Sequence, residues 1–110
     1  MVPGPRRAEA KEVNVRFREA AESDIGDALA WYRERGHDLG DQFLQALDRC
    51  LESVQRNPLA AATVHGEIRR ALLRRFPYCV FYIVEGPDIV VLACLRGHRD
   101  PEVWQGRRDA

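Results

Sequence analysis

Two apolar runs in the second half of this 110-residue chain restrict its fold most strongly. Tyr78–Val84 and Ile89–Leu95 are rich in β-branched and aromatic side chains, and a Glu-Gly-Pro-Asp turn separates them. This pattern predicts a β-hairpin whose strands are apolar on both faces. Such a hairpin has to be covered on both sides, so the remaining segments must provide that cover.

Two stretches upstream of the hairpin have helical periodicity. The first helix is expected to begin at an N-cap supplied by Ser23 or Asp24 and to end at Gly36. The second is expected to be capped by Asp38 and to stop just before Pro58. A break of about six residues would join them as an antiparallel αα-hairpin.

The other segments complete a β-α-α-β-β-β order. Val13–Phe17 alternates apolar and polar residues, which predicts a half-buried edge strand, and Ile68–Leu73 predicts another strand after a loop at Leu59–Gly66. Residues 1–12 are expected to be a disordered N-terminal extension, and 13–110 a single domain. The predicted class is α+β: a small, mostly antiparallel sheet with a helical hairpin packed on one face.

Composition excludes several classes of protein. Net charge is zero, and no apolar run approaches the roughly 18 residues of a membrane span. The N-terminus lacks a secretory signal, so a soluble cytoplasmic protein is expected. Cys50, Cys79 and Cys94 form no C-x-x-C pair, which indicates free thiols. Ser23 and Ser53 lack a nucleophile motif, and neither a metal site nor a cofactor is predicted.

Arginine accounts for sixteen of the seventeen basic residues. Arg74 and Arg75 come before the first strand of the hairpin, and Arg96, His98 and Arg99 come after the second. Because antiparallel strands bring these positions to one end of the sheet, we expect these side chains to converge there.

Three roles are open for this cluster. It could bind an anion such as a phosphodiester, or it could form a metal-free RNase site with His98 or Tyr78 as acid or base. The arginines could instead pair with nearby acids and hold loops in place. Trp104 could stack on a base or anchor the C-terminal tail over a sheet face, and Trp31 could meet a partner.

A series of short motifs runs from Val13 to Arg107. In order they are Ala21-x-x-Asp24, Trp31-Tyr32, Phe43 with Leu47, Asn57-Pro58, Arg70, Arg75-Phe76-Pro77-Tyr78, Tyr82, and Arg99-Asp100-Pro101 followed by Trp104 and Arg107. This set resembles the RelE/ParE superfamily, the toxin half of type II toxin–antitoxin modules. The Arg-Phe-Pro-Tyr and Arg-Asp-Pro-x-x-Trp signatures resemble its ParE, or plasmid-stabilisation, branch.

The resemblance implies a RelE-like fold and a cognate antitoxin that wraps the toxin with a segment that folds on binding, giving a hetero-oligomer. ParE-like members poison DNA gyrase, and RelE-like members cleave mRNA on the ribosome. The resemblance therefore implies a growth-arresting gyrase inhibitor neutralised by a ParD-like antitoxin. The alternatives are a ribosome-dependent, metal-independent mRNA endonuclease and an inactive module that binds only its antitoxin.

Taken together with the resemblance, the candidate site residues form three sets. Target binding is assigned to Arg74, Arg75, Arg96, Arg99 and Trp104, and antitoxin binding to Trp31, Tyr78 and Tyr82. The RNase alternative would use Arg75, His98 and Arg99. The chain departs from RelE nucleases because lysine is nearly absent and no tyrosine follows Tyr82. It also reads Arg-Gly-His-Arg-Asp-Pro where many ParE-like sequences read His-Gly-Arg-Arg-Asp-Pro. These departures favour a protein-binding toxin over an enzyme.

Overall fold

The computed structural model describes residues 13–97 and 99–109, in which a five-stranded sheet carries two long helices. The strands are β1 (Val15–Phe17), β2 (Thr63–His65), β3 (Ile68–Leu72), β4 (Tyr78–Glu85) and β5 (Asp88–Arg96). The helices are α1 (Glu19–Arg35), α2 (His37–Arg56) and the short α3 (Glu102–Gln105), which a 3₁₀ turn at Gly106–Arg108 follows. The predicted extension at 1–12 and His98 lie outside the described residues.

The strand order is β1-β5-β4-β3-β2, and each pair is antiparallel except β1 with β5. The α+β class and the mostly antiparallel sheet are therefore confirmed. β2 is a short, irregular strand inside the stretch that was expected to be a loop. A three-residue strand has too few residues for alternation to stand out in the sequence.

The β4–β5 hairpin is the centre of the sheet. Gly86 has a φ of 58°, a left-handed conformation that glycine adopts without a steric penalty. Partway along, Phe81 pairs with Ala93 and Tyr82 with Val91, which leaves Leu92 as a β-bulge. The bulge changes which faces of the sheet the following β5 side chains occupy.

The start of α1 differs from the prediction. The helix begins at Glu19, directly after the Arg18 N–H donates to the carbonyl of Val91, so Ser23 and Asp24 lie inside it. The N-cap prediction was wrong because the chain passes from β1 into the helix almost without a loop. The carboxylate of Asp24 is used for a tertiary contact instead.

The connection between the long helices also differs from the prediction. Gly36 alone separates α1 from α2, where a break of about six residues capped by Asp38 was expected. The close approach of α1 and α2 depends on Gly40. A Cβ atom at this position would lie 2.6 Å from Cγ of Arg33 and 3.2 Å from Cδ1 of Leu29. A larger residue would push the two helices apart.

The core has one layer on each face of the sheet, as the two-faced apolar strands predicted. The helix-facing layer contains Ala21, Ala28, Tyr32, Phe43, Leu47, Val54, Leu73, Val80, Tyr82, Ile89, Val91 and Cys94. The opposite layer contains Ile68, Cys79, Phe81, Ile83, Val90, Leu92, Ala93, Leu95 and Trp104. Trp104 stacks on Phe81 with ring centroids 4.4 Å apart, so the C-terminal tail helps to cover the second face.

Candidate functional site

The predicted target-binding arginines lie at one end of the sheet. Tyr78 at the start of β4 pairs with Arg96 at the end of β5, and the Gly97 N–H donates to the Pro77 carbonyl. Arg74 and Arg75 lie in the loop that leads into β4. Arg74 and Arg75 line one concavity at this end, whereas Arg96 lines another.

The larger concavity, the α2–β3 groove, has a volume of about 490 Å³. Its lining is Gln42, Gln45, Ala46, Arg49, Cys50, Ser53, Val54, Asn57, Ala60, Ala61, Ala71, Leu72, Arg74, Arg75, Phe76 and Tyr82. Among the described residues it therefore contains three arginines and no acid, and Leu72 is 69% exposed. The groove is apolar with a positive margin, a combination that suits an amphipathic segment with acidic residues.

Arg75 has an unusual backbone conformation within this groove. Its φ of 73° lies in the left-handed region, which costs a non-glycine residue about 1 kcal/mol or more. The next residue, Phe76, packs edge-on against Tyr32 and Phe43, with ring centroids 5.0 and 5.6 Å apart. The half-buried Phe76 ring thus fixes the strained turn, and Arg75 lines the groove beside it.

The smaller concavity, the arginine cleft, has a volume of about 260 Å³. It lies between α1, the paired ends of β4 and β5, and the tail, and its lining is Asp24, Asp27, Ala28, Trp31, Tyr78, Cys94, Leu95, Arg96, Arg99, Val103 and Arg107. The guanidinium of Arg96 lies 5.5 Å from the ring centroid of Trp31 and 5.4 Å from that of Tyr78. Arg35 covers Trp31 at 3.5 Å, so cation–π contacts hold this wall of the cleft.

Asp24 and Arg107 form a clamp along the edge of β5. β1 pairs with this edge only as far as Val91, beyond which the Cys94 N–H and the Leu92 carbonyl face away from β4. The Cys94 N–H donates to Oδ2 of Asp24 at 3.0 Å. Nη1 of Arg107 donates to the same oxygen at 2.6 Å and to the Leu92 carbonyl at 3.1 Å. The clamp satisfies backbone groups that would otherwise be buried without partners.

The clamp was not recognised in the sequence, although both residues belong to the motif series. No local pattern relates them, because they are 83 positions apart. The place of both residues in the motif series that resembles the RelE/ParE superfamily was the available signal. Burial, with the nearby Asp24 charge, raises the pKa of the Cys94 thiol to about 12, so this thiol is inert at neutral pH.

The predicted antitoxin-binding residues do not share one surface. Trp31, which is 40% exposed, and the half-buried Tyr78 both line the arginine cleft. Tyr82 is fully buried at the base of the α2–β3 groove, where its hydroxyl donates to the Pro58 carbonyl at 2.6 Å. A partner would reach Tyr82 only through the groove above it.

Trp104, predicted to bind the target, has 5% of its surface exposed. Its ring is a core element in this structure, so a target would contact it only after the tail moved away. His98 lies outside the described residues, which leaves its assigned role in the RNase alternative a prediction.

Several other arginines have structural partners. Arg16 pairs with Glu85 at 3.0 Å, Arg108 pairs with Glu67, and Arg69 donates to the carbonyls of Leu59 and Ala61. By contrast, Arg74, Arg75, Arg96 and Arg99 form no ion pair within residues 13–97 and 99–109. These four guanidinium groups are therefore available to a partner.

The described segments contain neither a candidate metal site nor a helix that could cross a membrane. No group of three or more potential ligands is arranged there to hold a metal ion. None of the described helices combines the length and the apolar character that a membrane crossing requires.

Comparisons with known proteins agree with this geometry. No curated protein sequence gives a significant match. The chromosomal ParDE toxin–antitoxin system from P. aeruginosa contains a chain with the same fold, with a TM-score of 0.68 at 18% identity over 78% of this chain and 97% of that one. The RelBE2 toxin–antitoxin complex from Mycobacterium tuberculosis gives a TM-score of 0.54 at 21% identity over 77% and 98%. A family model described as the ParE toxin of the type II toxin–antitoxin system parDE matches residues 15–101. Since that match spans most of the chain, the protein belongs to the ParE toxin family of type II toxin–antitoxin systems.

Proposed function

We propose that this ParE-family chain arrests growth by inhibiting DNA gyrase in the cytoplasm and that a ParD-like antitoxin neutralises it. The observation that carries the proposal is the set of four arginines at one end of the sheet, Arg74, Arg75, Arg96 and Arg99, which form no ion pair among the described residues. Guanidinium groups that lack an acidic partner suit recognition of carboxylates and phosphates on a partner protein.

The arrangement supports binding more than catalysis. A nuclease needs its acid, base and charge-stabilising groups within about 3 Å of the reacting atoms. Here Arg75 lines the α2–β3 groove, whereas Arg99 lines the arginine cleft. Trp104 also occupies part of the sheet face opposite the long helices. The ribosome-dependent endonuclease is therefore the less favoured alternative.

The α2–β3 groove supports the antitoxin part of the proposal. Its apolar base, its exposed Leu72 and its three arginines suit an amphipathic antitoxin segment with acidic residues along one side. The apolar side of such a segment would bury apolar surface in the groove, and its acidic residues would neutralise the arginine charges. The expected assembly is a hetero-oligomer of toxin and antitoxin, consistent with a role in plasmid stabilisation.

The test is a gyrase supercoiling and DNA-cleavage assay with the purified, antitoxin-free chain. We expect cleaved DNA to accumulate, Arg75→Ala to weaken the effect about tenfold, and His98→Ala to retain it. Arg16→Ala is the matched control, since Arg16 is already paired near the turn at the opposite end of the sheet. No effect from a large excess of folded chain would contradict the proposal, and translation-dependent mRNA cleavage would favour the alternative. A chain that arrests no growth would be the inactive module.

A further inference from the structure

The arginine cleft has the chemistry of a binding site for one small anionic group. We propose that it binds a peptide carboxylate, an Asp or Glu side chain of a partner protein, beside an apolar residue of the same segment. Arg96 and Arg99 would hold the carboxylate, and Trp31, Tyr78 and Val103 would contact the apolar neighbour.

The charges in the cleft favour a single negative charge. Asp24 and Arg107 neutralise each other in the clamp, at 2.6 Å. Arg96 and Arg99 then outnumber Asp27, so the lining has one net positive charge. A monoanionic carboxylate balances that charge. A phosphate dianion would leave an excess negative charge in the cleft, which Asp27 would repel.

Arg96 is held ready for such a ligand. Arg96 is a half-buried residue, and its guanidinium is 5.5 Å from the ring centroid of Trp31 and 5.4 Å from that of Tyr78. The aromatic rings restrict the side chain and remove water from around it, yet supply no formal negative charge. Binding a carboxylate would therefore cost little side-chain entropy and would give Arg96 the charged acceptor it lacks among the described residues.

The volume of the cleft and the net charge of the chain also favour an acidic peptide as the ligand. A volume of about 260 Å³ is smaller than the roughly 300–1,000 Å³ typical of drug-sized ligand sites, so it suits one or two side chains. The chain has no net charge, which gives no general attraction for a polyanion such as DNA or RNA. An acidic peptide is thus the occupant that the cleft fits best.

The inference that this acidic peptide belongs to the antitoxin rests on the proposed function; the carboxylate preference does not. Trp31 and Tyr78, assigned to the antitoxin, lie in the same cleft as Arg96 and Arg99, assigned to the target. An antitoxin segment seated there would cover those arginines. Neutralisation would then work by direct competition for the cleft.

The experiment titrates the full chain with N-acetyl-leucine, which has a carboxylate and an apolar side chain, and with its neutral analogue N-acetyl-leucinamide. Binding is measured from the indole N–H resonances in two-dimensional NMR spectra. Trp31 reports on the cleft, and the buried Trp104 is an internal reference on the other sheet face. We expect a saturable shift of the Trp31 signal with N-acetyl-leucine alone.

Two variants show whether the cleft arginines bind the ligand. Arg99→Gln should weaken N-acetyl-leucine binding about tenfold, because a charge-assisted hydrogen bond is lost. Arg16→Gln is the control, because Arg16 is paired with Glu85 and Asp88 and lies outside the cleft, and it should leave binding unchanged.

Any of four results would overturn the proposal. They are equal binding of the amide, an Arg99→Gln variant that binds as well as the parent chain, tighter binding of inorganic phosphate or AMP, and no saturable shift up to about 50 mM ligand. Since the titration uses no gyrase, its failure leaves the gyrase proposal standing, and failure of the gyrase assay leaves the carboxylate site standing.

Discussion

The carboxylate of Asp24 in α1 lies 2.6 Å from the guanidinium of Arg107 in the C-terminal tail. Their side chains are only 12% and 20% exposed, so water screens the attraction weakly. Through its bonds to the Cys94 N–H and the Leu92 carbonyl, the pair joins a helix, a strand edge and the tail. The two residues are far apart in the sequence, and together they form one wall of the arginine cleft.

Removing one member of the clamp should destabilise the fold strongly. We expect Arg107→Ala to lower the free energy of unfolding by roughly 2–4 kcal/mol, because Asp24 would keep its charge while losing its partner. Urea denaturation measures the loss. Arg108→Ala is the control: it removes an exposed pair with Glu67, which water screens strongly, so the variant should be almost as stable as the parent chain. Equal effects from the two variants would contradict a special role for the clamp.

Truncating Trp104 tests whether its ring anchors the tail or binds the target. Trp104→Ala removes the stack on Phe81, so we expect a loss of roughly 3–5 kcal/mol in chemical denaturation. Trp104→Phe should recover part of that stability and most of the gyrase activity. If Trp104→Ala kept its stability and lost only gyrase inhibition, the ring would be a target contact instead.

The same glycine-to-alanine change should have opposite effects at two helix positions. Gly40→Ala should cost about 1–3 kcal/mol, since the new methyl group meets the Arg33 and Leu29 side chains across the helix pair. Gly26→Ala should raise the free energy of unfolding by about 0.5–1 kcal/mol. A Cβ atom added at Gly26 has no neighbour within 4 Å, and alanine favours the helix. Thermal unfolding of both variants checks the signs. A stabilised Gly40→Ala variant would mean that the helices do not approach so closely.

The strain at Arg75 predicts a variant that gains stability and loses function. Arg75→Gly relieves the positive φ, so we expect about 0.5–1 kcal/mol of added stability. Under the proposed function it should inhibit gyrase more weakly, because one guanidinium is gone. Arg74→Gly serves as the comparison, since its φ is not positive and the change should lower stability. Reduced stability of Arg75→Gly would show that the strain is absent.

Stability should fall in alkali because of two thiols, those of the half-buried Cys50 and the buried Cys94. Burial, with a smaller contribution from Cys79, raises the pKa of Cys50 from 9.0 to about 11, and burial with the Asp24 charge raises that of Cys94 to about 12. The unfolded chain then loses these protons first, so stability is complete below about pH 9 and declines as pH rises towards 11 and 12. The expected slope is about 1.4 kcal/mol per thiol for each pH unit in that window.

Urea unfolding between pH 7 and about 11 measures this slope. The double variant Cys50→Ser, Cys94→Ala should show a shallower decline than the parent chain. An unchanged slope in that variant would assign the decline to other groups, such as Tyr82, whose pKa is also raised by burial.

Elements that depend on a long local pattern were predictable from the sequence. The β4–β5 hairpin follows from two apolar runs around a Gly-Pro turn, and the helical hairpin follows from apolar stripes that end at Gly36 and before Pro58. The anchoring of the tail by Trp104 was one of two roles considered, and its burial on Phe81 agrees with it. In each case several residues that are close together in the sequence indicate the same buried face.

Contacts decided by one pair of distant residues were not predictable. Asp24 looks like an N-cap in the sequence, yet its carboxylate is taken by the Cys94 N–H and Arg107. The arginines at the sheet end were expected to form one cluster, but the packing of α1 and α2 over the sheet separates Arg75 from Arg96. Strand order predicts which end of a sheet a residue occupies, and helix packing then decides which concavity it lines.

The closed edge of β5 also bears on how the protein behaves at high concentration. Residues Ile89–Leu95 contain no charge, proline or glycine, the composition of segments that assemble into intermolecular sheets. β1 covers the first part of that edge, and the Asp24–Arg107 clamp occupies the next. The clamp therefore blocks the edge against a second copy of the chain, and a variant that loses it should aggregate before it unfolds.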